Sequence, residues 1–158
     1  MQLGDLAPDF VLASDDGSTV RLSDALARGP VVLFFYPRAM TPGCTAESCH
    51  FRDMAGEFAA VGGQRLGISA DSVDRQRQFR DKHDFDYPLL SDADKVVAKE
   101  YGVKRAMLPF NRRVTFVIDT DRRVLAVIES ERDMEKHADE ALAVLRARRA
   151  ATGGVSDN

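Results

Sequence analysis

The 158-residue sequence predicts an α/β sandwich, helices packed on a sheet. Segments that repeat every second residue alternate along the chain with segments of helical spacing. The run VVLFFY, Val31 to Tyr36, is apolar at consecutive positions, which suits a central strand covered on both faces. The length fits a single core, since a chain of this size buries roughly 70% of the surface its unfolded form exposes.

The elements follow in order. In APDFVLASDDGSTVRLSD, Phe10 and Leu12 flank Val11, an Asp-Asp-Gly turn follows, and Val20 and Leu22 return; this reads as a hairpin-like entry, with Ser23 placed to cap a short helix. After Gly29-Pro30 comes the VVLFFYP strand. Phe51, Met54, Phe58 and Val61 then recur at helical spacing, predicting a helix over about 43–61 that Gly62-Gly63 ends. QRLGISA reads as a strand, DSVDRQRQFRDKH as a helix capped by Asp71 or Ser72, YPLLSD as a short strand and turn, and ADKVVAKEYG as a short helix. RRVTFVID and RRVLAVIE pair around the turn from Asp119 to Arg122, and DMEKHADEALAVLRARR closes the chain as a helix. Residues 1–150 read as one domain; 151–158, small and polar with nothing to bury, read as a disordered tail.

Composition narrows the function. Twenty-two Lys and Arg stand against 25 Asp and Glu, a net charge of −3, which removes the electrostatic basis for binding nucleic acid. The longest apolar run is six residues, against the ~20 of a membrane helix. The start meets Asp5 and Asp9 before any leader-like apolar stretch, so a cytosolic chain is expected. Two cysteines are too few to staple such a fold, so any disulfide between them is expected to be chemical rather than architectural.

Cys44 stands just inside the helix start that follows the central strand and a Pro/Thr/Gly loop. Free N–H groups and the positive end of the helix dipole favour a thiolate there. Thr41, three residues earlier, is placed either to cap the helix or to hydrogen-bond the thiolate and whatever it attacks. Arg113, at the mouth of RRVTFVID, would need an anion beside it if it points inward; Arg112 is its rival, and alternation does not choose between them. Cys49 lies five residues after Cys44, ~140° around the helix and roughly 8.7 Å away between Cα atoms. A disulfide needs less than about 7 Å, so bonding the two requires the first turns to unwind. Cys44 shares its face with Phe51 and Phe58, and Cys49 with Arg52, Asp53 and Gly56, so one thiol is expected inward and the other toward solvent.

YPRAMTPGC resembles the P-x-x-x-T-x-x-C signature of peroxiredoxins, with Pro37, Thr41 and Cys44 in register, and the second cysteine at Cys49 is similar to the two-cysteine pattern of the peroxiredoxin Q, or bacterioferritin comigratory protein, group. The likeness extends through GDLAPDF, GISADS, YPLLSD and RRVTFVID, and selects Arg113. It implies a thioredoxin-like fold with a central mixed sheet flanked by helices. It also implies a thiol peroxidase in which Cys44 attacks a hydroperoxide, becomes a sulfenic acid and is resolved by Cys49 as an intramolecular disulfide. Thr41 and Arg113 would bind the peroxide together with the backbone N–H groups of Gly43 and Cys44, and Pro37 would shield the thiolate. Thioredoxin, or glutaredoxin in its place, would be the reductant, the enzyme would act as a monomer, and neither metal nor organic cofactor would take part. In the family the loop before Arg113 lines the mouth of the site; here GVKRAMLPFNRR is short, which bears on substrate size. Glu47 agrees with the family's Glu or Gln, although an exposed first-turn Glu also simply favours the helix dipole.

Other readings stand beside this one. A thiol-disulfide oxidoreductase on the same fold normally carries C-x-x-C, which is absent; a redox sensor switching through Cys44 and Cys49 is the third. Zinc on Cys44, Cys49 and His50 is disfavoured because structural zinc takes four ligands and adjacent Cys49 and His50 diverge. His83 and His137 read as solvated helix residues without a role.

Overall fold

The computed structural model describes residues 1–105 and 110–156. Seven strands form one sheet: β1 (Val11–Ser14), β2 (Thr19–Arg21), β3 (Val31–Phe35), β4 (Gln64–Ser69), β5 (Leu89–Ser91), β6 (Val114–Ile118) and β7 (Val124–Glu129), in the order β2-β1-β5-β4-β3-β6-β7. β3 runs parallel to β4 and β4 to β5; the remaining pairs are antiparallel, so the sheet is mixed. The helices are α1 (Leu22–Leu26), α2 (Pro42–Asp53), α3 (Ala55–Ala60), α4 (Val73–His83), α5 (Val96–Glu100) and α6 (Met134–Ser156).

All five residues of β3 are buried, as its two-sided apolar run demands. Val31, Leu33 and Phe35 join one core with Phe10, Leu22, Tyr101 and Phe116, while Val32, Phe34 and Tyr36 join a second with Cys44, Phe51, Phe58, Phe79 and Leu142. The strand's period of two thus divides the molecule into two cores, and α2 and α6 cover the second. Phe34 and Phe51 stack at 4.2 Å between centroids, fastening α2 to the central strand.

Two boundaries differ from expectation. The helix expected over 43–61 is two helices separated at Met54, whose φ of −98° and ψ of 21° leave the helical region. The carbonyl of Phe51, which would accept from Ala55 in a continuous helix, instead accepts from Arg65 Nη1 at 2.8 Å. At the other end, α6 runs through Ser156 into the expected tail, because Ala150 and Ala151 extend a helix already nucleated. Of the possible caps for α4, Ser72 is the one used, its Oγ accepting from the Arg75 N–H.

Candidate active site

The loop from Tyr36 to Thr41 leaves the end of β3 and is held from several sides. Tyr36 donates its hydroxyl to Gln76 Oε1 at 2.6 Å, and the Ala39 N–H donates to Asp71 Oδ2 at 2.7 Å. Met40 takes a left-handed φ of 68°, a conformation a non-glycine residue holds only where its surroundings fix it. Pro37 is half-buried on this loop. Thr41 occupies the cap position of α2, with Pro42 at the first helical residue, yet its hydroxyl makes no cap. It donates to the Arg38 carbonyl at 2.8 Å, which leaves the oxygen free to accept.

Cys44 is fully buried in the first turn of α2, beneath Phe51 and Phe58 on the same core. Arg113 reaches it from just before β6, with Nη2 3.4 Å from Sγ. Parity along β6 explains the choice over Arg112: Arg113 falls in phase with Thr115 and Val117, on the face that α2 and α6 cover. Arg112 falls on the other phase and turns outward to Glu129 at 2.7 Å and the Gly102 carbonyl. Gly43 makes room for the guanidinium: a Cβ there would lie 3.2 Å from Arg113 Nη2 and 3.5 Å from Met134 Sδ.

Glu47 corrects the sequence reading. It is not exposed but completely buried, one turn after Cys44, and its Oε1 accepts from Arg113 Nη1 at 2.7 Å. Burial drives its carboxyl up to about 8, against the pull of the Arg113 charge. His137 is corrected likewise: it is buried on α6, with Nδ1 2.8 Å from Thr115 Oγ1 and Nε2 2.8 Å from the Ser130 carbonyl. Its signal was available, since His137 precedes Ala141 and Leu145 by four and eight residues on the buried stripe of that helix. His83 is half-buried and stacks on Phe85.

Cys49 is half-buried and packs against the same core as Cys44, and both thiols are free. Burial raises its thiol above the ordinary value, Arg52 opposing and Asp53 adding to the shift. It lines an open cleft of about 660 Å³ between α2 and the start of α6, with His50, Asp53, Arg132 and Glu135. Beside it, ligand atoms of His50, Glu135 and Asp139 lie within 4.8 Å of one another, a grouping that includes neither cysteine. Residues 106–109 of the expected mouth loop lie outside the described residues.

The fold that carries this buried thiol and guanidinium is shared with solved structures. The structure is similar to peroxidoxin BcpB from Mycobacterium tuberculosis, with a TM-score of 0.89 and 58% identity over 93% of this chain and 97% of that one. It is also similar to the bacterioferritin comigratory protein of Xanthomonas campestris, with a TM-score of 0.82 and 30% identity over 94% and 97% of the two chains. The class is therefore that of thioredoxin-fold peroxiredoxins. Residues 3–127 match the AhpC/TSA family, and peroxiredoxin Bcp of Bacillus subtilis is 36% identical over 92% of this chain and 96% of its own. The chain belongs to the AhpC/TSA family, as a peroxiredoxin of the Q, or bacterioferritin comigratory, group.

Proposed function

We propose that this peroxiredoxin reduces hydrogen peroxide and small organic hydroperoxides through Cys44, resolves the product with Cys49, and is recycled by thioredoxin as a cytosolic monomer. The observation that carries the reading is the Arg113 guanidinium 3.4 Å from the buried Cys44 sulfur at a helix start. There a cation and the helix dipole favour the thiolate against the cost of its burial. The thiolate attacks the nearer peroxide oxygen, the S–O bond forms as O–O breaks, and the alkoxide takes a proton to leave as alcohol or water. Thr41, its own hydrogen committed to Arg38, accepts from the peroxide O–H. Arg113 and the N–H groups of Gly43 and Cys44 stabilise charge on the separating oxygens. Pro37 covers the sulfur from the loop side. The X. campestris relative, whose description names alkyl peroxide reduction, supports organic hydroperoxides as substrates.

The Cys44 sulfenic acid then condenses with the Cys49 thiol, releasing water and forming the disulfide. The raised thiol of Cys49 keeps it a poor nucleophile while α2 is folded. Reduction returns two electrons and two protons from a thioredoxin dithiol. NADPH consumption with peroxide, thioredoxin and thioredoxin reductase tests this. Cys44→Ser should abolish turnover and Cys49→Ser should remove thioredoxin-dependent recycling; disulfide exchange without peroxide consumption would favour an oxidoreductase instead.

A further inference from the structure

Behind the Cys44–Arg113 contact lies a buried polar cluster that the peroxidase chemistry above does not use. Glu47 Oε1 is satisfied by Arg113, but Oε2 is buried without a hydrogen-bond partner and lies 3.6 Å from His137 Nδ1. His137 Nε2 faces the Ser130 carbonyl, which only accepts, so Nε2 carries a hydrogen. In the neutral ring Nδ1 then has no hydrogen, accepts from Thr115 Oγ1, and turns its lone pair partly toward Glu47 Oε2. A carboxylate there would set negative oxygen against a lone pair at full burial. One proton must therefore sit on the pair, as Glu47–COOH beside neutral His137 or as carboxylate beside imidazolium.

We propose that His137 is a positioning residue of the Cys44 site: by keeping one proton on the Glu47–His137 pair, it prevents Glu47 from neutralising Arg113 and leaves the guanidinium charge to the Cys44 sulfur. Charge counting gives the reason. Arg113 and a Cys44 thiolate sum to zero when the pair is neutral. If the pair loses its proton, the Glu47 carboxylate claims Arg113 and the buried thiolate becomes a second, uncompensated anion. The groups facing the pair are Arg113 just before β6 and Thr115 on it, Tyr87 just before β5, the Ser130 carbonyl and Glu131 from the connection after β7, and Lys136 from α6. Burial pushes Glu47 up and His137 down, Ser130 opposing the latter, so the proton rests on Glu47 near neutral pH.

The charge balance does not depend on the peroxidase reading, only its catalytic consequence does, so the test reads the thiolate directly. In a Cys49→Ser background, the rate at which iodoacetamide alkylates Cys44 is followed against pH. His137→Phe keeps a ring but replaces the lone pair with a C–H edge that favours the carboxylate. The pH of half-maximal alkylation should rise by about one unit, a tenfold slower reaction below it. His137→Leu, a second apolar replacement, should move it the same way. Glu47→Gln is permanently neutral, so adding His137→Phe or His137→Leu to it should give no further shift. A His137 variant that folds and keeps the original midpoint overturns the proposal, as does a shift that persists unchanged in the Glu47→Gln background.

Discussion

Gly43 carries more of the site than its size suggests. Arg113 is held on one side by Glu47 at 2.7 Å and on another by the Cys44 sulfur at 3.4 Å, and the space between it and Met134 is the space a Cβ would take. Gly43→Ala should push the guanidinium a few tenths of an ångström from the sulfur, because Glu47 prevents it from simply swinging away. The second-order rate of the enzyme with peroxide should fall about tenfold, roughly 1.4 kcal/mol of transition-state stabilisation, with little change in Tm. Stopped-flow measurement of the first oxidation step checks this. The positions of Cys44 and Thr41 were legible because each sits in a local pattern: a helix start and a loop hydroxyl. Exposure of Glu47 was a misreading: a glutamate near a helix start has a sufficient explanation in the helix dipole, yet Glu47 falls in the second turn of α2, and nothing local reveals that β6 and α6 close over it. The burial of His137 was legible in the stripe it shares with Ala141 and Leu145, but its partners were not, since Thr115 and Ser130 lie outside its helix.

In the proposed cycle, helix α2 has to be stable enough to hold Cys44 and labile enough to release Cys49. Its second half is tied to the rest of the molecule at several points: Tyr87 Oη donates to the Ser48 carbonyl at 2.6 Å, Arg65 to the Phe51 carbonyl at 2.8 Å, Arg52 to the His83 carbonyl at 2.7 Å, and His50 Nε2 lies 2.8 Å from Asp139 Oδ1 on α6. Each contributes about 1 kcal/mol and all must loosen if Cys49 is to reach Cys44. Tyr87→Phe deletes one tether and keeps the ring stacked on Phe85. Disulfide formation after the first oxidation should accelerate several-fold while the oxidation step itself is unchanged, a split that two-phase fluorescence or quenched-flow mass spectrometry resolves. The break at Met54 belongs to this scale too. Helical periodicity from Phe51 to Val61 is real, as both Phe51 and Phe58 are buried, but periodicity does not report a carbonyl diverted to an arginine two elements away.

Across the whole molecule, one sheet divides two cores, and that division was the most legible feature: the uninterrupted VVLFF of β3 requires cover on both faces. The choice of Arg113 over Arg112 was not legible from alternation, because both faces of β6 are buried and only the placement of α2 and α6 makes one of them the thiol side. Closing a carboxyl into this interior also links global stability to pH. Glu47 stands at about 8 in the folded chain against 4.5 in the unfolded one, so between these values the folded state holds a proton the unfolded state lacks. Its contribution is full below the unfolded value and is lost as pH rises through the folded one. Glu47→Gln removes this dependence; urea midpoints of wild type relative to Glu47→Gln should decline from pH 5 to pH 8 and then level off.

In the proposed cycle Cys44 takes the oxygen and Cys49 displaces it as water. Intact-mass analysis after one equivalent of hydrogen peroxide, on the wild-type chain and on Cys49→Ser and Cys44→Ser, tests it most directly. The wild type should become an intramolecular disulfide, Cys49→Ser should stop with one oxygen on Cys44, and Cys44→Ser should leave the peroxide unconsumed. Peroxide consumption by Cys44→Ser at the wild-type rate, or a disulfide-free wild type after oxidation, would contradict the account.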